Sequence, residues 1–508
     1  MPDTQNIPEI DDREVKECEE IINDPKYATI FDGHIGKMVN RKPIVLPVDE
    51  GARITSQPYR PIAFHLQDEI SEHLQTLRDN GKIVDVDPNV ERVDVCCNVE
   101  VSVKSSGKLR MNIDARPINA ATADILTPHM RTPEEVRHRL SGATRYSEFD
   151  MNQRYNQSTL SEESSRKYGV FQTHEGLHRF TGLYFGHKQS SQVFDEDVEN
   201  SFRGTPGTEH VAYNLLVHGK EGEGHKHNLR SFLDRCLAEG VTLSREKATV
   251  CSESVLWFGL YYGRDGVKPD PAKVQRLKEK GRPTSQEEVR SFLQAAQFNA
   301  RFMWDTDTAY AHITQPLREL MGKGVKFRWG EKQQSSYEAI IAALESSGAL
   351  YPFRPDLEMR HVADASPTGI ASSIYMITTD ESGNETWWPV NHISRSLTET
   401  EGRYPQIDRE SLAQSWGMCQ HRHFLLGRHF TTHTDHRPLL AFYNNKKKAT
   451  PRIEKHLLKS QDLHFTMVFT KGKTNRSDWY SRHPEDISDW STRQKEKHDV
   501  DSGRELPG

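Results

Sequence analysis

The chain has 508 residues, of which 35% are hydrophobic and 28% are charged, and its formal net charge is −6. A chain of this length is expected to fold into about two to four domains. It contains no apolar run of about 18 residues, which excludes a helical membrane span. The negative charge excludes a protein that binds nucleic acid with its whole surface, so any such binding must come from local basic patches.

The N-terminal region, residues 1–45, is predicted to be a partly ordered arm. It mixes charges with little periodicity, and its first residues, MPDTQNIPEIDDREVKECEE, are acidic and polar, unlike a secretory signal. The six cysteines of the chain are scattered and form no CxxC pair, which favours reduced thiols. We therefore expect an intracellular protein, in the cytoplasm or the nucleus.

A helix and three strands are predicted after a proline-punctuated lead-in at residues 43–61. Apolar residues recur at helical spacing from Leu66 to Leu77, and Asn80-Gly81 is a natural stop, so a helix is expected over 65–80. Short strands follow, which we place at 82–86, 93–103 and 109–114.

Two stretches near the middle of the chain are predicted to share one sheet. The first, YSEFDMNQRYNQST at 146–159, begins with alternating apolar residues and places Asp150 at the end of a strand. The second, HVAYNLLVHG at 210–219, is also strand-like, and Asn214 suits a tight hairpin turn. The side chains of Tyr213 and Asn214 are therefore predicted to lie beside Asp150.

A second group of chemically active residues lies in the last third of the chain. It consists of four acids at the ends of predicted strands or within helices, separated by 46, 25 and 43 residues, in the order Asp364, Glu410, Asp435, Asp478. Four converging carboxylates can hold two divalent cations. The alternative explanation is coincidence, since the chain has 73 acidic residues.

These motifs resemble those of gypsy-type LTR retrotransposon Pol polyproteins, which join a reverse transcriptase to a ribonuclease H. The family's fingers pattern K-x-x-G-x-x-R-x-x-x-D-x-R is present from Lys104 to Arg116, and its T-D-A-S, E-S-L, T-D-H-x-P-L and A-D-x-L-S-R blocks are recognisable around the four acids. The resemblance implies an α+β fold. A right-hand polymerase fold of fingers, palm and thumb would be followed by an RNase H-like α/β domain with a mixed sheet.

The resemblance and the changes of pattern along the chain divide it into five segments. In order, we predict an arm at 1–45, reverse transcriptase-like fingers and palm at 46–265, a thumb and connection at 266–349, an RNase H-like domain at 350–484 and a disordered tail at 485–508.

The resemblance assigns two residues to nucleotide binding. Arg110 would hold the phosphates of an incoming nucleotide, because a guanidinium is planar, bidentate and always charged. Tyr155 would pack under the sugar ring. The alternatives are a solvated hairpin for Arg110 and ordinary core packing for Tyr155. Arg154 stands where the family usually has a glycine, at a point where the backbone approaches the nucleotide.

The predicted palm departs from the family at two positions that are usually aspartates. They are Tyr213 and Asn214, and neither carries a carboxylate. A phenol with a pKa of about 10 stays protonated at neutral pH, and an amide offers only a neutral oxygen. Since Asp150 is the remaining carboxylate, we predict a degenerate polymerase site without DNA synthesis.

The RNase H-like domain, in contrast, keeps all four acids of the family. By resemblance, Asp364 would bridge two Mg²⁺ or Mn²⁺ ions, Glu410 and Asp435 would hold one of them, and Asp478 would complete the other. This set predicts an enzyme that cleaves the RNA strand of RNA–DNA hybrids.

The predicted partners are RNA–DNA hybrid and an RNA template with a DNA primer, and no membrane. The basic run Lys446-Lys447-Lys448 is predicted to contact the phosphates of the hybrid, with a solvated loop as the alternative. Three functions remain compatible with the sequence: a ribonuclease H with an inactive polymerase site, a nucleic-acid-binding module without chemistry, and an active reverse transcriptase with an unusual site. The sequence does not set the oligomeric state.

Overall fold

The computed structural model describes residues 12–49, 51–103, 109–123, 132–211, 214–264, 266–303, 310–322, 324–444 and 448–470. These residues form two compact units. The first holds residues 12–136 and 142–255, and the second holds residues 137–141 and those from 256 onward. None of the helices in the described ranges is long and apolar enough to cross a membrane. All six cysteines are free thiols.

In the described residues up to 239, the helices range from four to 17 residues in length. They are α1 (Asp12–Ile22), α2 (Ala28–Phe31), α3 (Phe64–Asp79), α4 (Arg116–Ala121), α5 (Pro133–Arg139), α6 (Glu162–Tyr168), α7 (Ser190–Phe202) and α8 (Glu223–Glu239). Nine strands accompany them: β1 (Ile83–Asp85), β2 (Cys97–Val103), β3 (Leu109–Ile113), β4 (Arg145–Asp150), β5 (Val170–Thr173), β6 (Gly176–Phe180), β7 (Thr208–Val211), β8 (Asn214–Gly219) and β9 (Thr249–Ser252).

The first unit contains a five-stranded sheet in the order β1-β6-β5-β2-β3. Helix α3 buries Ile70, Leu74 and Leu77, the apolar residues whose spacing predicted it. The strands expected at 82–86, 93–103 and 109–114 are confirmed as β1, β2 and β3, with slightly shorter bounds. Strands β2 and β3 form the antiparallel hairpin that carries Arg110, paired with Ser102.

A four-stranded antiparallel sheet in the order β7-β8-β4-β9 forms the second sheet of this unit. The prediction that Asp150 and Asn214 lie together is confirmed, because they are direct partners across β4 and β8. Beneath them the core is aromatic: Phe149 stacks on Phe232 of α8 at 5.1 Å between ring centroids.

Part of the predicted arm is the helix α1, packed on this sheet. Its apolar side buries Cys18, Ile21 and Ile22. Its acidic side accepts hydrogen bonds: Arg145 donates Nε to Glu14 at 2.9 Å, and Lys226 donates Nζ to Glu17 at 2.7 Å. The buried residues follow helical spacing, a signal masked in the sequence by the charges between them.

The second unit begins with a small sheet and a group of helices. The strands are β10 (Ser254–Trp257), β11 (Leu260–Gly263) and β12 (Gly266–Pro269). The helices are α9 (Pro271–Glu279), α10 (Gln286–Asn299), α11 (Tyr310–Ile313), α12 (Gln315–Glu319) and α13 (Glu331–Glu345). They share a core built around Phe292, Leu317 and Ile340.

The rest of the second unit is an α/β domain. Its strands are β13 (Glu358–Ala365), β14 (Gly369–Thr379), β15 (Glu385–Ser396), β16 (His429–Thr434) and β17 (His464–Phe469). Its helices are α14 (Glu399–Gly402), α15 (Gln406–Gln420), α16 (Arg422–Leu425), α17 (Leu439–Tyr443) and α18 (Pro451–Lys459). The sheet order is β15-β14-β13-β16-β17, antiparallel on the β15 side and parallel on the β17 side, so the predicted mixed sheet is confirmed.

Helix α15 lies unusually close to this sheet. A methyl group placed on Gly417 would lie 2.6 Å from Ser372 Cβ and 2.7 Å from His361 Nε2. Real side chains do not come this near to one another, so the helix can take this position only because residue 417 has no side chain.

Candidate active sites

Three of the four predicted nuclease acids converge in the α/β domain. Asp364 lies near the end of β13, Glu410 lies in the second turn of α15, and Asp435 directly follows β16. Strands β13 and β16 are parallel neighbours, with Val362 opposite His433, so their ends meet at one edge of the sheet. One oxygen from each carboxylate lies within 4.8 Å of the others.

The environment of these acids fits divalent cations. Asp364 and Glu410 are 6% and 2% exposed, and Asp435 is partly exposed. Carboxylates packed this closely repel one another, more strongly where water is excluded, so the arrangement favours a bound positive charge. Oxygen donors without sulfur or imidazole suit hard ions such as Mg²⁺ and Mn²⁺.

The fourth acid and part of the basic run cannot be placed in this geometry. Asp478, Lys446 and Lys447 lie outside the described residues, and Lys448 is exposed. Their predicted roles therefore stay predictions.

The predicted polymerase site around Asp150 differs from the acid cluster, because its carboxylate is paired with a cation. The carboxylate of Asp150 forms an ion pair with the ammonium of Lys247. Opposite it, Asn214 donates Nδ2 to Glu148 Oε1 at 3.2 Å. Burial, and then the neighbouring Asp150 charge, raise the pKa of the Glu148 carboxyl. Tyr213 lies outside the described residues, and within them the palm contributes no group of three potential metal ligands.

Tyr155 lies in the 3₁₀ turn Arg154–Gln157 and is 6% exposed. Its ring packs against Phe185 at 4.5 Å between centroids, and the guanidinium carbon of Arg154 lies 4.6 Å from its centroid. Its hydroxyl shares a hydrogen bond with Ser191 Oγ at 2.6 Å. In this structure Arg154 and Phe185 therefore cover the ring that the resemblance assigns to the nucleotide sugar.

The fingers motif is partly visible in the structure. Arg116 donates Nε to Asp114 at 2.6 Å, and this contact lowers the pKa of the buried Asp114 carboxyl. Arg110 lies on β3 of the same hairpin. The motif's D-x-R residues thus form an ion pair between a buried carboxylate and an exposed guanidinium, directly after strand β3.

Sequence reasoning missed three residues at these sites. Gln406 precedes Glu410 by four positions on one helix, so the helical repeat could have revealed it. Lys247 reaches Asp150 from a separate short helical turn, which no local pattern predicts. Glu148 lies two positions before Asp150, on the same sheet face by strand alternation.

Comparisons with known proteins agree with this geometry. Residues 102–262 match the reverse transcriptase (RNA-dependent DNA polymerase) family. Residues 354–462 match the RNase H-like domain found in reverse transcriptase. The two matches coincide with the palm site and with the acid cluster.

Curated relatives are Pol polyproteins of transposons. The chain is 23% identical to the retrovirus-related Pol polyprotein from transposon 297 of Drosophila melanogaster, over 85% of this chain and 39% of the relative. It is 27% identical to that from transposon gypsy of the same organism, over 72% of this chain and 35% of the relative. The chain therefore spans about a third of the length of these relatives.

Solved structures of similar fold are foamy viral protease-reverse transcriptases. One in complex with dsDNA gives a TM-score of 0.77 at 17% identity and covers 92% of this chain and 95% of that chain. One in complex with an RNA/DNA hybrid gives a TM-score of 0.69 at 17% identity and covers 91% of this chain and 61% of that chain. This confirms the fold, a right-hand polymerase followed by an RNase H-like domain. The chain belongs with the Pol polyproteins of LTR retrotransposons, gypsy among them, and carries their reverse transcriptase and RNase H-like domains.

Proposed function

We propose that residues 350–484 cleave the RNA strand of an RNA–DNA hybrid endonucleolytically, with two Mg²⁺ or Mn²⁺ ions. The observation that carries this proposal is the convergence of Asp364, Glu410 and Asp435 within 4.8 Å from three separate elements. We assign Asp478 as the fourth ligand by resemblance.

The fold of the domain fixes the positions of the three carboxylates. Asp364 and Asp435 are held at adjacent strand ends, and Glu410 is held by a helix that packs tightly on the same sheet. The divalent ions, when bound, would lower the pKa of the attacking water and neutralise charge on the leaving oxygen. The three acids would bind those ions and keep them beside the scissile phosphate. Preorganised acids need no rearrangement during the reaction.

We propose that the hand binds primer–template or hybrid and does not synthesise DNA. Two of its three expected carboxylates are absent, and the third, Asp150, is paired with the cation Lys247. A divalent ion at this position would have to displace the ammonium of Lys247 from Asp150. Foamy viral proteins of this fold are known with dsDNA and with RNA/DNA hybrid, which supports nucleic-acid partners for this chain.

The test is hybrid cleavage by the full chain, with labelled RNA and with Mg²⁺ or Mn²⁺. Asp364→Asn and Asp435→Asn should abolish cleavage and leave hybrid binding largely intact, because an amide keeps the shape of the side chain and removes its charge. Asp356→Asn is the matched control, since Asp356 is an exposed acid of the same domain. A folded chain that binds hybrid and cleaves with neither metal would leave the binding module as its function.

A further inference from the structure

Glu410 has a neutral hydrogen-bond donor beside it. Gln406 Nε2 donates to Glu410 Oε1 at 2.5 Å and to the backbone carbonyl of Ala365 at 3.1 Å. Gln406 begins α15, and Ala365 ends β13 directly after Asp364. One amide group therefore joins the helix that carries Glu410 to the strand that carries Asp364.

Arg409 fixes which way this amide faces. Arg409 Nη2 donates to Gln406 Oε1 at 2.5 Å, and Nη1 donates to the Gly402 carbonyl at 3.3 Å. A guanidinium can only donate hydrogen bonds, so the oxygen of the Gln406 amide must face Arg409. The NH₂ group is then left to face Glu410, whose oxygen accepts its hydrogen bond.

The choice of a neutral donor matters for metal binding. A hydrogen bond to the charged form of a carboxylate favours that form. An ammonium would do the same but would also compete with a metal ion for the carboxylate, as Lys247 would at Asp150 in the palm. The Gln406 amide occupies one oxygen of Glu410 without adding a positive charge.

We infer that Gln406, oriented by Arg409, is a positioning residue that sets the carboxylate of Glu410 for the divalent cation. This inference rests on the proposed metal-dependent nuclease site. Gln406 acts through Glu410 and does not itself hold the metal. Loss of such an outer hydrogen bond weakens metal affinity or activity by about 10- to 100-fold in other metal sites.

The variants are made in the full chain. Gln406→Met keeps the length of the side chain and removes both hydrogen-bonding groups, and Arg409→Met releases the orientation of the amide. Gln420→Met is the matched control, because Gln420 is an exposed glutamine at the far end of the same helix, about 21 Å away along its axis.

Two measurements are made on each variant. Mn²⁺ binding without nucleic acid is measured by calorimetry, with Asp364→Asn to identify the heat that belongs to this site. Hybrid cleavage is measured against Mg²⁺ concentration and against hybrid concentration. Gln406→Met should weaken Mn²⁺ binding and raise the Mg²⁺ concentration for half-maximal cleavage about tenfold. Its KM for hybrid should stay unchanged, and saturating Mn²⁺ should restore most of kcat. Arg409→Met should act in the same direction by about threefold, and Gln420→Met should match the unmodified chain.

The outcomes separate this inference from the proposed nuclease function. If the unmodified chain does not cleave hybrid but binds Mn²⁺ more tightly than the Gln406→Met variant, the positioning role is supported and the proposed nuclease function is refuted. Unchanged Mn²⁺ affinity in Gln406→Met overturns the positioning role even if cleavage falls. A raised KM for hybrid without a metal effect overturns it as well, because it would make Gln406 a substrate contact. A folded chain whose Mn²⁺ binding is the same as that of Asp364→Asn refutes both.

Discussion

The free energy of unfolding of the RNase H-like domain should fall strongly in mild acid, because several histidines are buried in it. Five histidines are buried in this domain. Burial lowers the pKa of His361 to about 3 and those of His392, His433 and His456 to about 4, and it lowers the pKa of His421 well below its ordinary value. His361 illustrates the cause: its two ring nitrogens share hydrogen bonds of 2.8 Å with Thr432 Oγ1 and Ser372 Oγ, and its ring has no contact with water.

The size of the effect follows from proton uptake. The folded domain keeps these rings neutral, whereas in the unfolded chain they bind protons below a pH of about 6.5. Between about pH 6.5 and 4 the unfolded state therefore holds more protons, and stability falls as the pH falls through that window. Between pH 7 and 5, each of the four histidines whose pKa is about 3 or 4 should lower the free energy of unfolding by about 2 kcal/mol. The four together should lower it by about 8 kcal/mol. That sum is comparable to the whole stability of a typical domain.

The assay is urea unfolding of the full chain at pH 7, 6 and 5, with a pulse of hydrogen exchange and mass spectrometry to read the peptides of β13–β16 separately from the hand. His392→Gln should reduce the slope of the unfolding free energy against pH by about one proton. His464→Gln should leave it unchanged, because His464 is exposed on β17. A change of less than about 1 kcal/mol between pH 7 and 5, or histidine rings that titrate near pH 6.5 in the folded protein, would refute the reasoning.

Two further predictions concern nucleic acid. The unmodified chain should show no primer extension with Mg²⁺ or Mn²⁺, and Tyr213→Asp combined with Asn214→Asp should recover some synthesis, because the pair restores the missing carboxylates. Robust extension by the unmodified chain would contradict an inactive palm, and a double variant that stays inactive would direct attention to Arg154. The affinity for hybrid, measured by fluorescence anisotropy in EDTA to prevent cleavage, should fall steeply from about 50 to 200 mM salt. Changing Lys446, Lys447 and Lys448 together to Glu should weaken binding to all sequences alike, whereas an affinity that ignores salt would argue against phosphate contacts.

The sequence predicted most of what depends on local pattern. The alternation before Asp150 and the helical repeat of α3 each depend on neighbours within a few residues, and the structure confirms both. The order of the nuclease acids was readable for the same reason, since each is embedded in its own short motif.

Contacts between distant segments could not be predicted in this way. The pairing of Lys247 with Asp150 depends on how a 3₁₀ turn meets a strand nearly 100 positions earlier. The packing of α1 depends on the basic residues Arg145 and Lys226, which lie far along the chain from their partners Glu14 and Glu17. Such contacts are decided by packing of the whole unit, which leaves no periodic signal in the sequence.

The missing side chain at Gly417 affects the geometry of the acid cluster from a distance. Residue 417 lies two turns along α15 from Glu410, and it sets how far the helix axis lies from the sheet. Even an alanine there would wedge the helix outward against Ser372 and His361, and the helix, being stiff, would carry Glu410 with it. Enlarging a residue by one carbon could thus open the spacing between acids about 10 Å away while every ligand keeps its identity. A variant of this chain with a larger residue at position 417 should therefore lose the proposed nuclease activity while all of its acidic residues stay unchanged.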